Sequence, residues 1–123
     1  MGMVADVSSL LPVLSPRERQ VGGCCDPLVE PDLGVEEAAA LAVVVKALAD
    51  PTRLRIVDAV RKAAPEALCQ CELLPLFSMS QPALSKHLKV LISAGVLATE
   101  RRGLWAYYYL VPNATEELVS WLS

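Results

Sequence analysis

The chain has 123 residues, enough for one domain with a real core and too few for two. Its 54% apolar content invites a membrane reading, but no uninterrupted apolar run reaches about 18 residues, so no helical bilayer span is expected. The net charge of −3 looks unsuited to nucleic acid until it is divided along the chain. Residues 1–50 carry three basic and eight acidic side chains, residues 51–111 carry eight and four, and the tail adds two acids. The positive charge is local, as in a domain that turns one basic face to phosphates.

The first twenty residues open with an acid rather than a basic cluster, and Pro12 splits their short apolar patch, which argues against a secretory signal. Asp6 stands where a myristoylation signal needs Ser or Thr. A cytoplasmic protein with no membrane partner is expected. A flexible segment over residues 1–34 carries Cys24 and Cys25 in loop chemistry, after Gly22 and Gly23 and before Asp26 and Pro27, and an ordered domain occupies residues 35–123.

The run AAALAVVVKALA is broken only by Lys46 and reads as a helix buried on more than one side, as in a dimer core. It begins near Val35 with Glu36 and Glu37 in its first turn, and Leu41, Val44, Val45 and Leu48 form its apolar face. Asp50 caps a second helix that opens on Pro51, turns Leu54, Ile56, Val57 and Val60 inward, and ends before Pro65. A short helix follows in CELLPLF, shortened or kinked by Pro75.

Residues 78–97, SMSQPALSKHLKVLISAGVL, have the most sharply marked boundaries in the chain. Ser80 is a good N-cap, Pro82 suits the first turn, and Gly95 stands where a left-handed residue closes a helix. Leu84, Leu88 and Leu91 make one apolar stripe, while Gln81, Ser85 and Lys89 share another face flanked by Lys86. An amide, a hydroxyl and two lysines suit base edges and phosphates. With the short helix before it, this makes a helix-turn-helix whose second helix reads double-stranded DNA. His87, the one histidine, either touches DNA or caps a partly buried surface; as a single histidine it builds no His-rich metal site.

The period then changes to two in VLATERRGLWAYYYLV, with Trp105, Tyr107 and Tyr109 opposite Ala106, Tyr108 and Leu110. A hairpin with its turn at Arg101, Arg102 and Gly103 is a wing able to reach the adjacent backbone or minor groove. Residues 114–122 form a last short helix whose Leu118, Trp121 and Leu122 need cover from the first helix or a partner subunit. The expected fold is mainly α with a β-hairpin wing, a homodimeric winged helix-turn-helix.

Four cysteines occur as two pairs, Cys24 with Cys25 and Cys69 with Cys71. In a cytoplasmic chain, close thiol pairs point to soft-ion binding or redox chemistry rather than structural disulfides. Residues two apart on a regular helix point nearly opposite ways, so Cys69 and Cys71 share an ion only if Cys69 precedes the helix. Neither pair is a complete site. Joining them, within one subunit or across two, gives three or four thiolates beside the helix-turn-helix.

The combination KALADPTRLRIV, LCQCELL, SQPALSKHLKVLISAGVL and a tyrosine-rich wing resembles the ArsR/SmtB family of metal-sensing repressors over roughly residues 35–122, closest to its arsenic-responsive branch. The resemblance implies a homodimer that binds operator DNA when ligand-free and releases it with inducer, with Ser80, Gln81, Ser85, Lys86 and His87 at the DNA and Arg101 and Arg102 on the wing. It also implies thiolates from Cys69 and Cys71, joined by the N-terminal Cys24 and Cys25. Three thiolates suit As(III) or Sb(III) as inducer, with Cys24, Cys25 and one of the CQC pair, Cys69 ahead of Cys71, as the expected set, and four suit Cd(II) or Pb(II). The zinc branch, which uses Asp and His on the C-terminal helix, is disfavoured because ATEELVSWL has no histidine. A thiol-redox or persulfide-responsive repressor would use the same fold and cysteines. A small thiol-disulfide enzyme lacks its expected βαβ arrangement, so no enzyme is expected.

Overall fold

The computed structural model describes residues 30–123, and the expectations for Cys24, Cys25 and the rest of residues 1–29 fall outside the described residues. Helix α1 (Val35–Leu48) starts at Gly34, whose N–H donates to Glu37 Oε1 at 3.4 Å. Its inward stripe is Leu41 and Ala47, with Val44 and Leu48 packed beside them. Val45, expected inward, is exposed instead: with Ala47 as the buried residue, the stripe turns away from position 45.

Helix α2 (Pro51–Ala63) is capped by Asp50, whose Oδ2 accepts the Arg53 N–H at 3.0 Å. Ile56 and Val60 are buried one turn apart, and Val57 is packed against them. Leu54, expected inward, is 52% exposed. It lies two residues before Ile56, about 200° around the helix from it, so both cannot face one core.

An element absent from the sequence reading comes next. Strand β1 (Leu68–Cys69) pairs antiparallel with the strand Trp105–Leu110, placing Leu68 opposite Tyr108 and Cys69 opposite Tyr107. Helix α3 (Gln70–Leu73) then runs into a 3₁₀ turn, Leu74–Leu76. Pro75 explains the change, because it has no N–H with which to extend the α-helical ladder.

Helix α4 (Gln81–Ser93) has the expected ends. Ser80 Oγ accepts the Ala83 N–H at 3.3 Å, and Gly95 has φ of 79°. Val96 N–H donates to Leu91 O and Gly95 N–H to Ile92 O, the paired closure that a left-handed glycine permits.

Strands β2 (Leu97–Arg102) and β3 (Trp105–Leu110) make the wing, and the sheet order is β1-β3-β2. The turn is Gly103–Leu104, with Gly103 at φ of 64°; Arg101 and Arg102 stand on the strand, opposite Ala106 and Trp105, rather than in the turn as expected. A two-residue hairpin loop needs its left-handed residue first, and glycine supplies it.

The last helix, α5 (Glu116–Leu122), starts two residues later than expected. Its Trp121 and Leu122 are 54% and 69% exposed, so α1 does not bury them. The core joins Ala47, Ile56, Val60, Leu73, Phe77, the leucines of α4, Val96, Leu97 and Tyr108, and so locks α4 and the wing to α2. Among the described residues no helix is long and apolar enough to cross a membrane.

Candidate functional site

Burying Leu84, Leu88 and Leu91 fixes the rotation of α4 and leaves Gln81, Lys86 and Lys89 exposed. Ser85 lies at the margin of that face, half-buried, because Gln70 reaches it: Gln70 Nε2 donates to Ser85 Oγ at 2.8 Å and to the Gln81 carbonyl at 3.5 Å. Sequence reasoning missed Gln70, whose only signal was an amide flanked by two cysteines.

His87 is turned toward the start of α2. The Arg53 guanidinium donates to its Nδ1 at 3.4 Å, and Asp50 Oδ2 lies 4.0 Å from the same nitrogen. Arg53 Nε also donates to the Ala47 carbonyl at 2.6 Å, so one arginine ties the end of α1, the cap of α2 and the flank of α4 together. The Arg53 backbone N–H holds the Asp50 carboxyl below its ordinary range, and the Arg53 charge acts in the same direction. His87 is half-buried in this contact.

On the wing, Arg101 and Arg102 alternate across β2 and have different surroundings. Arg102 donates to Glu100 at 3.4 Å and lies over the Tyr107 ring, 5.7 Å from its centre. Arg101 is exposed and has no ion pair among the described residues. Its charge is the less compensated of the two.

The cysteine pair satisfies the geometric condition read from the sequence. Cys69 lies before α3, in extended backbone at φ of −80° and ψ of 160°, and its N–H donates to Glu72 Oε1 at 2.9 Å. With Cys69 outside the helix the two Cα atoms are 5.2 Å apart and the sulfurs meet; they are bonded as a disulfide where free thiolates were expected. Cys69 is 4% exposed and Cys71 is open to solvent. Among the described residues no group of three His, Cys, Asp or Glu side chains is placed to hold a metal ion. Only on reduction would the two sulfurs be free to act as a pair of soft ligands.

Residues 50–99, which span the Asp50 cap, the cysteine pair and α4, match the family described as "Bacterial regulatory protein, arsR family". An uncharacterised HTH-type transcriptional regulator of Methanocaldococcus jannaschii, MJ1325, is 32% identical over 85 residues, covering 69% of this chain and 93% of that protein. The arsenic resistance transcriptional regulator ArsR1 of Pseudomonas putida is 40% identical over 74 residues, 60% of this chain and just 56% of that protein. Among solved structures, HlyU of Vibrio cholerae superposes with a TM-score of 0.62 at 27% identity, covering 72% of this chain and 94% of that one. The homodimeric winged helix-turn-helix DNA-binding domain Mb0332 of Mycobacterium bovis has a TM-score of 0.61 at 24% identity over 76% of this chain and 83% of that one, a likeness of fold. The chain belongs to the ArsR family of bacterial regulatory proteins, winged helix-turn-helix transcriptional regulators rather than enzymes.

Proposed function

We propose that this chain is a metalloid-responsive repressor that binds operator DNA as a homodimer when ligand-free and dissociates when As(III) or Sb(III) binds its cysteine thiolates. The observation that carries the reading is the meeting of the Cys69 and Cys71 sulfurs at the start of α3, one short turn before the DNA-facing helix α4. Reduced, this pair supplies two thiolates to one soft ion, and Cys24 or Cys25 on the segment 1–34 supplies a third, from the same or the other subunit. Three thiolates favour trivalent arsenic over Cd(II) or Pb(II), which take four more naturally. The name of the Pseudomonas putida relative, an arsenic resistance regulator, supports the same choice.

Gln81, Ser85, Lys86 and Lys89 face the major groove in this reading, Ser80 sits at the phosphate-side end of α4, His87 lies at its flank, and Arg101 and Arg102 reach the neighbouring backbone. A second copy covers the exposed Val35 and Val43 of α1 and Val119, Trp121 and Leu122 of α5, surfaces apolar enough to need a partner. The homodimeric fold neighbour supports that arrangement, and the protein acts in the cytoplasm.

Release follows by linkage. An inducer that binds the DNA-incompetent conformer more tightly shifts the population toward it, by no more than its difference in affinity for the two conformers. A difference of about 3 to 5 kcal/mol weakens DNA binding by roughly a hundredfold to several thousandfold.

The Cys69–Cys71 disulfide favours one further reading, a thiol-redox repressor. Exchange of the two thiols with a small oxidised disulfide would form the Cys69–Cys71 bond and release two small thiols, with no metal involved. Fluorescence anisotropy of the reduced protein on DNA from its own upstream region decides between them. Release by arsenite, lost in Cys24→Ser and Cys69→Ser, supports the metalloid reading. Stronger release by cadmium favours a four-thiolate site, release by oxidant alone moves the function to redox sensing, and no DNA binding in any state removes the repressor assignment.

A further inference from the structure

Gln70 occupies the position between Cys69 and Cys71, and its side chain is the polar contact that leads from that pair to the DNA-facing helix. Its orientation is set by chemistry. The Gln81 carbonyl only accepts, so the amide nitrogen, not the amide oxygen, faces α4 and donates to both Gln81 O and Ser85 Oγ. A serine hydroxyl that accepts from an amide has its own O–H left to donate outward. Ser85 is thereby held as a donor, suited to a phosphate oxygen or to an acceptor on a base edge such as guanine O6 or N7.

We infer that Gln70 is a positioning residue: its amide holds Ser85 as a hydrogen-bond donor to DNA, and chemistry at the two neighbouring sulfurs reaches the recognition helix by moving that amide. The inference rests on the repressor reading above and adds the link between the cysteine pair and α4. The coupling is short because Gln70 is the first residue of α3 while Cys69 is its cap and Cys71 its second residue. The amide contacts of Gln70 are seen with the two sulfurs bonded to each other, and parting the sulfurs to the wider span of a bound ion turns the peptide units on either side of Gln70. A side chain that spans only 2.8 Å to its acceptor has little slack to absorb such a rotation.

The test uses the full-length reduced chain and a fluorescent duplex from its own upstream region, with and without sodium arsenite. Wild type is compared with Gln70→Leu, Ser85→Ala and the double variant. Gln70→Leu keeps the size and removes the donor; it is expected to weaken operator binding of the arsenite-free protein by about tenfold, the order of one lost hydrogen bond in each of two subunits. It is also expected to shrink the ratio between Kd with and without arsenite. Ser85→Ala in the Gln70→Leu background should cost almost nothing more, since the two act as one unit. Thermal midpoints and the stoichiometry of arsenite binding to the thiols should stay at wild-type values, which a merely structural loss would not allow. Gln70→Leu with wild-type Kd and a wild-type arsenite ratio overturns the link while the repressor reading stands. Fully additive losses overturn it as well. A wild-type chain that neither binds the duplex nor responds to arsenite overturns the repressor reading and the link with it.

Discussion

The wing offers a quantitative test of how the protein meets DNA. Each subunit presents four cations to the proposed interface: Lys86 and Lys89 on α4, and Arg101 and Arg102 on β2. Binding that neutralises Z phosphates gives a slope of about −0.9Z in log K against log salt, so eight cations in a dimer set a ceiling near −7. Arg102 contributes less than a full unit, since Glu100 at 3.4 Å already offsets its charge, whereas Arg101 is uncompensated. Arg101→Gln is therefore expected to flatten the slope by about 2 per dimer. Arg102→Gln should flatten it by less, and Glu100→Gln should steepen it by freeing Arg102. Fluorescence anisotropy on one duplex, repeated over potassium chloride concentrations, measures all four slopes. Parallel lines for wild type and Arg101→Gln, or a larger change for Arg102→Gln, would refute the assignment of Arg101 as the principal phosphate contact of the wing.

Leu84→Ala, at a fully buried position of α4, should lower unfolding stability in urea by about 2 to 5 kcal/mol, while Leu54→Ala, on the outward face of α2, should cost under about 1 kcal/mol; equal losses would contradict the orientation of α2. The depressed Asp50 carboxyl stabilises the folded state while it is ionised, so that contribution is present above the ordinary carboxylate range and is lost as pH falls through the folded-state value. The urea midpoint of the wild type should accordingly fall more steeply below about pH 4 than that of Asp50→Asn, which keeps the cap without the charge, and superimposable acid limbs would show that Asp50 adds nothing.

The ends of α2 and α4 were legible because each is written in local chemistry: Asp50 before Pro51, Ser80 before Pro82, and a glycine at 95 that no other residue replaces cheaply. Faces were legible where the apolar spacing is regular, as in the leucines of α4, and ambiguous where apolar residues crowd, as at Leu54 to Val57 and Val43 to Val45. There only the packing of neighbouring elements chooses the side that is buried. Strand β1 was invisible because two residues carry no periodicity, and its pairing partner lies almost forty positions away at Tyr107 and Tyr108. The cysteine pair was found as chemistry, with its geometric condition, but its tie to α4 was not. A hydrogen bond between positions 70 and 85 depends on how two helices are packed, and no spacing rule along one chain predicts it.

The pairing of Cys69 with Tyr107 makes the cysteine segment a fulcrum for the wing. From Tyr107 to the turn at Gly103–Leu104 is three residues, a lever arm of about 10 Å, so a tilt of about 10° at the base swings the tip by nearly 2 Å. A charge-assisted hydrogen bond tolerates only a few tenths of an ångström beyond its preferred length, so such a swing would be enough to break the wing contacts proposed with the DNA backbone. Cys69 is thus joined to the wing through β3, and its neighbour Gln70 to α4, so under the proposed repressor function one backbone step there would act on both arms, and modest movements at each would let DNA go without unfolding either.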